Sequence, residues 1–264
     1  MPEMRGEELW VGACVEAALL GVQVVQHDDG SRPSMYDLDL LREGVPFAAM
    51  EVTAAADGES IELWNLVNGS DDRWIESDLM GGWMVTVTPR ARAKRLKKEL
   101  PTLLRTLESI AEGPERQAAV DRLFSMEVAS ANRSATDFPG SIYVTLQRDP
   151  ERTGGAVPVT GDGLVAWLNA WISEPAQEHN VEKLRAAPHP ERHLFVLIPG
   201  FTTAPFSASD VLMRADGPLP QAVPALPQGV TDVWLMSTWS TGDLFHYSAD
   251  GWSRSPKVFE VASA

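Results

Sequence analysis

Pro33-Ser34-Met35-Tyr36-Asp37-Leu38-Asp39-Leu40-Leu41-Arg42-Glu43-Gly44-Val45-Pro46-Phe47-Ala48-Ala49-Met50-Glu51-Val52-Thr53 is the stretch from which the fold can be read. Tyr36–Leu41 alternates, with Asp37 and Asp39 on one face and Tyr36, Leu38 and Leu40 on the other. Arg42-Glu43-Gly44 is a turn, and Pro46–Val52 is apolar enough for a buried strand, so the two runs form a hairpin. Glu51 closes that apolar strand, an expensive place for a carboxylate unless it has a partner or a cation. Two carboxylates on neighbouring antiparallel strands can share a divalent ion, which prefers hard oxygen ligands. Asp37 and Glu51 meet that requirement, Asp39 is a further acid on the same face, and the backbone carbonyl of Val52 is an additional ligand. Alternating Asp also fits a solvent-facing strand edge, and Thr53 agrees with that plainer reading.

On the N-terminal side, Leu9, Trp10, Ala13, Cys14, Ala17 and Leu20 set the buried stripe of a helix over residues 6–21, ended by Gly21. Val22–Val25 then reads as a strand, and His27–Ser34 as a loop dense in turn formers. On the C-terminal side, Met84–Thr88 is a strand followed by a helix carrying Leu96, Leu100, Leu103, Leu104, Leu107 and Ile110, which Pro101 kinks or restarts. A helix near 115–125, a strand Ile142–Gln147 pairing with Ala156–Val159, and helices over 162–173 and 180–187 come next. Strands at His193–Ile198, Val230–Met236 and Leu244–Ser248 complete the pattern. The Pro-rich passage 201–228 has no periodicity and reads as an extended surface loop, a lid or a long connection.

Interleaved strands and helices predict an α/β protein with a mixed central sheet flanked by helices. The small polar run Ala129–Thr136 suggests a boundary, giving a core over residues 1–126 and an α/β portion over 127–264 that is either separate or continuous with it. No repeat of 20–50 residues and no low-complexity tract interrupts the chain.

The net charge of −15 argues against a protein that coats duplex nucleic acid, which needs many cations for phosphate. The acidity is uneven, however: Arg90, Arg92, Lys94, Arg95, Lys97 and Lys98 form one basic segment, a candidate nucleic-acid contact or a solvated helix face. The first residues lack a secretory leader and no apolar run reaches bilayer length, so the expectation is a cytoplasmic protein without membrane contact.

Pro33–Asp39, the hairpin, and Met50-Glu51-Val52-Thr53 resemble the PD-(D/E)xK, or restriction-endonuclease-like, superfamily. The resemblance covers roughly residues 5–57, and it implies a restriction-endonuclease-like N-terminal core and a nuclease dependent on Mg²⁺ or Mn²⁺. It assigns Asp37 (or Asp39) and Glu51 as the metal-binding acids, with Glu16, or else Glu8, as the helix glutamate. Thr53 stands where the family has the lysine that positions the attacking water and stabilises charge. The resemblance therefore leaves two outcomes. A migrated lysine (Lys94, Lys97, Lys98 or Lys183) restores a nuclease, or its lack leaves an inactive module whose acidic surface meets a basic protein partner.

Other motifs carry less. His27-Asp28-Asp29 reads as a turn. His179, His189, His193 and His246 have no paired spacing, and with a single cysteine, Cys14, itself on the buried stripe, zinc is not expected. Gly161-Asp162-Gly163 is followed by no Gly-Lys-Ser/Thr, no Ser lies in a nucleophile elbow, and Trp167 and Trp171 read as core.

Overall fold

A computed structural model describes residues 4–68, 74–133, 140–147 and 159–259. The chain divides into two compact units, one made of Met1–Ala56 and Pro150–Ala264, the other of Asp57–Asp149. The boundary expected at 126/127 is thus replaced by two, because the strand carrying Glu51 is completed by a strand from the far end of the chain. The described part of the run read as a boundary, Ala129–Arg133 of Ala129–Thr136, lies instead inside a strand of the inserted unit.

The first unit holds α1 (Gly6–Ala18), β1 (Val22–Gln26), β2 (Leu38–Arg42), β3 (Val45–Ala54), α5 (Asp162–Ile172), α6 (Glu178–Ala186), β8 (Glu191–Ile198), α7 (Phe206–Ser209), β9 (Asp232–Ser237), β10 (Leu244–Ser248) and β11 (Gly251–Ser255). Its strands form one mixed seven-stranded sheet in the order β1-β2-β3-β8-β9-β10-β11, flanked by helices. The central strands β3, β8 and β9 run parallel, the others antiparallel. Strands buried on both faces read as unbroken apolar runs, and Leu194–Ile198 and Val233–Met236 are of that kind.

The β2–β3 hairpin turns on Glu43 and Gly44, both at positive φ (52° and 78°), the pairing of left-handed residues that matches strand twist in a two-residue loop. Pro46 has no N–H to give the ladder, and the register shifts between Leu40 and Leu41 opposite it. On one face of the sheet, Val11, Cys14 and Val15 of α1 pack over Leu38, Leu40, Met50, Phe195 and Trp234. On the other, Leu164, Leu168 and Trp171 of α5 and Val181 and Leu184 of α6 pack over Ala49, Leu194, Val196, Val233 and Leu235. Each such Leu or Trp contributes about 2–5 kcal/mol relative to Ala.

The passage 201–228 departs from its expected exposed course. It contains α7 and a 3₁₀ turn at Asp210–Leu212, and Ala204, Ala208, Val211 and Leu212 are buried against the core. Asp162 at the start of α5 accepts from the N–H groups of Gln221 and Ala222, and Asn169 from that of Ala225, so α5 fastens the passage down.

The inserted unit contains α2 (Gly58–Asn68), β4 (Trp74–Ile75), β5 (Trp83–Val87), α3 (Ala93–Ser109), α4 (Pro114–Ser125), β6 (Val128–Arg133) and β7 (Ser141–Leu146), with a four-stranded sheet in the order β4-β7-β5-β6. Leu96, Leu100 and Leu104, four apart, bury one stripe of α3 against Val85, Val87, Val128 and Val144. Pro101 does not restart the helix: α3 runs through it from Ala93 to Ser109. Helix α2 and strands β6 and β11 have no counterpart in the sequence reading, and the expected partner of β7 at Ala156–Val159 lies, except for Val159, outside the described residues. Among the described residues no helix is long and apolar enough to cross a membrane.

Candidate active site

Gln26 pairs with Leu38, and Leu38 with Met50. One step further along the same register brings His27, Asp37 and Glu51 abreast, and the His27 N–H donates to the Asp37 carbonyl at 2.8 Å. Pairing between β2 and β3 stops at Met50, which leaves the N–H of Val52 to find another acceptor. It finds the Asp37 carboxylate, with Oδ2 at 2.7 Å. The carbonyl of a strand residue leaves on the same side as its N–H, so the Val52 oxygen faces Asp37 too.

Helix α6 lies against the end of β3 on the Glu51 side. Asn180 and Lys183, one turn apart, reach Thr53 and Glu51, two residues apart on the strand: Asn180 Nδ2 donates to Thr53 Oγ1 at 3.2 Å, and Lys183 Nζ to Glu51 Oε1 at 2.7 Å. Thr53, where the resemblance expects a lysine, is bonded by Asn180, and the amine that meets Glu51 is that of Lys183 on α6. Lys94, Lys97 and Lys98 belong to α3 of the inserted unit.

Asp37 and Glu51 are buried, at 5% and 2% exposure. Burial, and then the neighbouring Asp37, push the Glu51 carboxyl up to about 8, an effect that the Lys183 ammonium only partly opposes. Burial also raises Asp37, against the pull of the Val52 N–H, Lys183 and Arg5. Glu51 Oε2 is buried with no hydrogen-bond partner among the described residues. Glu8, on the first turn of α1, is buried and joined to Asp37 through Arg5, whose guanidinium lies 2.5 Å from Glu8 Oε1 and 3.5 Å from Asp37 Oδ1.

Three expected assignments change. Glu16 is exposed and its carboxylate accepts from the Val24 N–H at 2.7 Å, so Glu8 is the helix acid nearest the pair. Asp39 is occupied elsewhere: its oxygens meet His27 Nδ1 at 2.9 Å, the Tyr36 hydroxyl at 2.8 Å and His189 Nε2 at 3.4 Å. Tyr36 consequently shares a side with Asp39, not with Leu38 and Leu40, because β2 begins only at Leu38 and the backbone before it is irregular. In the basic segment, Arg95 bonds Ser125 and pairs with Glu99. Arg90, Arg92, Lys94, Lys97 and Lys98 are exposed and form no ion pair among the described residues.

A second buried cluster escaped the sequence reading. His193, Asp232 and His246 come from β8, β9 and β10, with ligand atoms within 4.8 Å of one another, a donor set that could hold a metal ion. Residues 39 and 14 positions apart in sequence leave no spacing motif; the available signal was a polar residue at the start of each of two apolar strands. His246 Nε2 lies 2.9 Å from Asp232 Oδ1, and Thr231 Oγ1 donates to Asp232 Oδ2 at 2.7 Å. Trp234 Nε1 donates to His193 Nδ1 at 3.0 Å, so a neutral His193 carries its proton on Nε2, 3.7 Å from Asp232. These donors hold the Asp232 carboxyl below the usual range despite burial.

Compared with known proteins, the chain matches no family model, no curated protein and no solved structure.

Proposed function

We propose that the chain is a divalent-metal-dependent nuclease of the restriction-endonuclease-like kind, hydrolysing phosphodiesters at Asp37, Glu51 and Lys183. The observation that carries this reading is the Lys183 amine 2.7 Å from Glu51 Oε1, on a carboxylate whose other oxygen has no partner among the described residues. Mg²⁺ or Mn²⁺ fits the donors: Glu51 Oε2, Asp37 and the Val52 carbonyl are hard oxygens converging from two strands. Bound there, the ion supplies a Lewis acid and an acidified water.

The chain's own residues do the rest. Asp37 is fixed by the Val52 N–H and flanked by Arg5, so its orientation is set before substrate arrives. Lys183 places a positive charge beside the position where phosphate charge develops, the role the lysine of the strand motif has in the resemblance. Asn180 keeps Thr53 and α6 in register, which aims Lys183. Exposed Arg90, Arg92, Lys94, Lys97 and Lys98 supply a surface for nucleic-acid backbone. The charge of −15 favours single-stranded, branched or protein-delivered substrates over bulk duplex.

The test is cleavage of single-stranded, duplex and branched DNA and of RNA with Mg²⁺ or Mn²⁺, alongside Mn²⁺ binding by calorimetry, for wild type and Glu51→Ala. Metal-dependent cutting lost in the variant supports the reading. Equal activity in both would place the site elsewhere. A wild type that binds no metal and cuts nothing leaves the inactive module facing a basic protein, a reading favoured by the way Arg5 and Lys183 already compensate the acids.

A further inference from the structure

We propose that His27, oriented by Asp39, is the general acid that protonates the departing oxygen of the phosphodiester. This rests on the nuclease reading and names a catalytic residue which that reading lacks, since Lys183 is engaged by Glu51 and no other proton donor has been placed at the scissile bond.

His27 stands abreast of Asp37 in the register of β1 and β2, held by its own N–H on the Asp37 carbonyl. Its Nδ1 lies 2.9 Å from Asp39 Oδ2, which leaves Nε2 without a partner among the described residues. The ring is further fixed by stacking on Tyr36, with centroids 3.8 Å apart and planes 11° from parallel, while the Tyr36 hydroxyl donates to the other Asp39 oxygen. A carboxylate that holds one imidazole nitrogen so that the other faces a reacting atom is the arrangement of Asp and His in acyl-transfer triads. Here the space is present: His27, Arg32, Tyr36 and Lys183 line one cavity of about 300 Å³, at the lower end of the size of small-ligand sites. Arg32 in that wall offers a guanidinium to a phosphate oxygen.

The step balances without a further reactant. A water oxygen forms the new bond to phosphorus, and the ester P–O bond breaks with its electron pair going to the leaving oxygen. The proton on His27 Nε2 passes to that oxygen. The attacking water gives up a proton to solvent, and His27 regains one from solvent. Asp39 keeps the ring in place; it is a positioning residue and not a metal ligand.

A general acid matters in proportion to how poor the leaving group is. The experiment compares a dinucleotide, whose leaving group is an alkoxide, with the p-nitrophenyl ester of a nucleoside 5′-phosphate, whose p-nitrophenolate departs without a proton, both with Mn²⁺. His27→Gln is expected to lower kcat on the dinucleotide by about 10²–10⁴-fold, the usual contribution of such a group, and by less than about tenfold on the p-nitrophenyl ester. Asp39→Asn should reproduce the same selective loss at smaller size. Equal losses on both substrates, in a variant whose circular dichroism and Mn²⁺ affinity match wild type, overturn the assignment while leaving the nuclease reading intact. If His27→Gln does not fold, His27→Asn is read in the same way. A wild type inert on both substrates removes the nuclease reading, and the general acid with it.

Discussion

Two buried carboxylates sit on opposite faces of the same sheet and have opposite electrostatics. Glu51 pairs with Leu194 in the β3–β8 register and faces α6, whereas His193, the partner of Met50, faces the α1 side with Asp232 and His246. Asp232 is met by the Thr231 hydroxyl and by His246, and its carboxyl is held low. Glu51 is met by Lys183 on one oxygen only, lies beside a second carboxylate, and is pushed up to about 8. Burial is similar, so the difference comes from donors. On the function proposed above, the carboxylate left short, Glu51, is the one that takes a cation, and the Asp232 cluster serves the scaffold.

The comparison breaks first at Lys183. Lys183→Met keeps the aliphatic stem over the core but removes the charge, and cleavage is expected to fall by about 10²–10³-fold, the cost of losing one donor to transition-state charge. Folding should survive, since the group left behind, Glu51, can stay protonated. A variant with wild-type kcat would show that the amine serves only to neutralise Glu51.

The second test acts on the other cluster. Asp232→Asn removes the charge and keeps one acceptor oxygen, so one of the hydrogen bonds from Thr231 and His246 loses its partner in a buried site, at a cost of about 1.5–3 kcal/mol. Denaturant unfolding should show that loss, with metal-dependent cleavage unchanged in the fraction that stays folded. If instead the variant is as stable as wild type and loses activity, the roles assigned to the two clusters are exchanged.

The hairpin that brings Asp37 beside Glu51 could be read from Asp37, Leu38, Asp39 and the apolar strand ending in Glu51, because alternation and a hairpin turn are local properties. The contact of Lys183 with Glu51 could not. Lys183 is 132 positions from Glu51 and meets it only because β8 docks parallel to β3 and carries α6 over the strand end. The same parallel docking hid the His193 cluster, whose members occupy separate strands with no common spacing. Glu8 and Glu16 were indistinguishable as helix acids, both near a first helix, until the strand that follows placed Val24 over Glu16. Asp39 failed for a further reason: alternation gives the face of a side chain but not which neighbour claims it, and His27, Tyr36 and His189 all do. The inserted unit broke the domain reading because nothing in local composition marks where a chain leaves a sheet it will later rejoin.

The smallest effect separates the two carboxylates by sign. A folded-state pKa raised above the unfolded value means that the native protein holds a proton the unfolded chain releases, so stability from Glu51 is fully present below about pH 4.5 and is lost as pH rises through about 8. Asp232 runs the other way: its lowered pKa adds stability above the unfolded value of 3.8, lost as pH falls through the folded one. Glu51→Gln, neutral at every pH and similar in shape, should match wild type near pH 4.5 and become progressively the more stable protein toward pH 8.5. At about 1.4 kcal/mol per pH unit as the limiting slope, the gain at alkaline pH is on the order of 1–3 kcal/mol once Lys183, left with an uncharged acceptor, is allowed for. Saturating Mn²⁺ should reverse the order, because the wild-type carboxylate then binds a ligand that Gln binds poorly. Stability curves of the two proteins that run parallel from pH 4.5 to 8.5, with and without Mn²⁺, would show that Glu51 is as fully compensated as Asp232, and the distinction between the two faces would be lost.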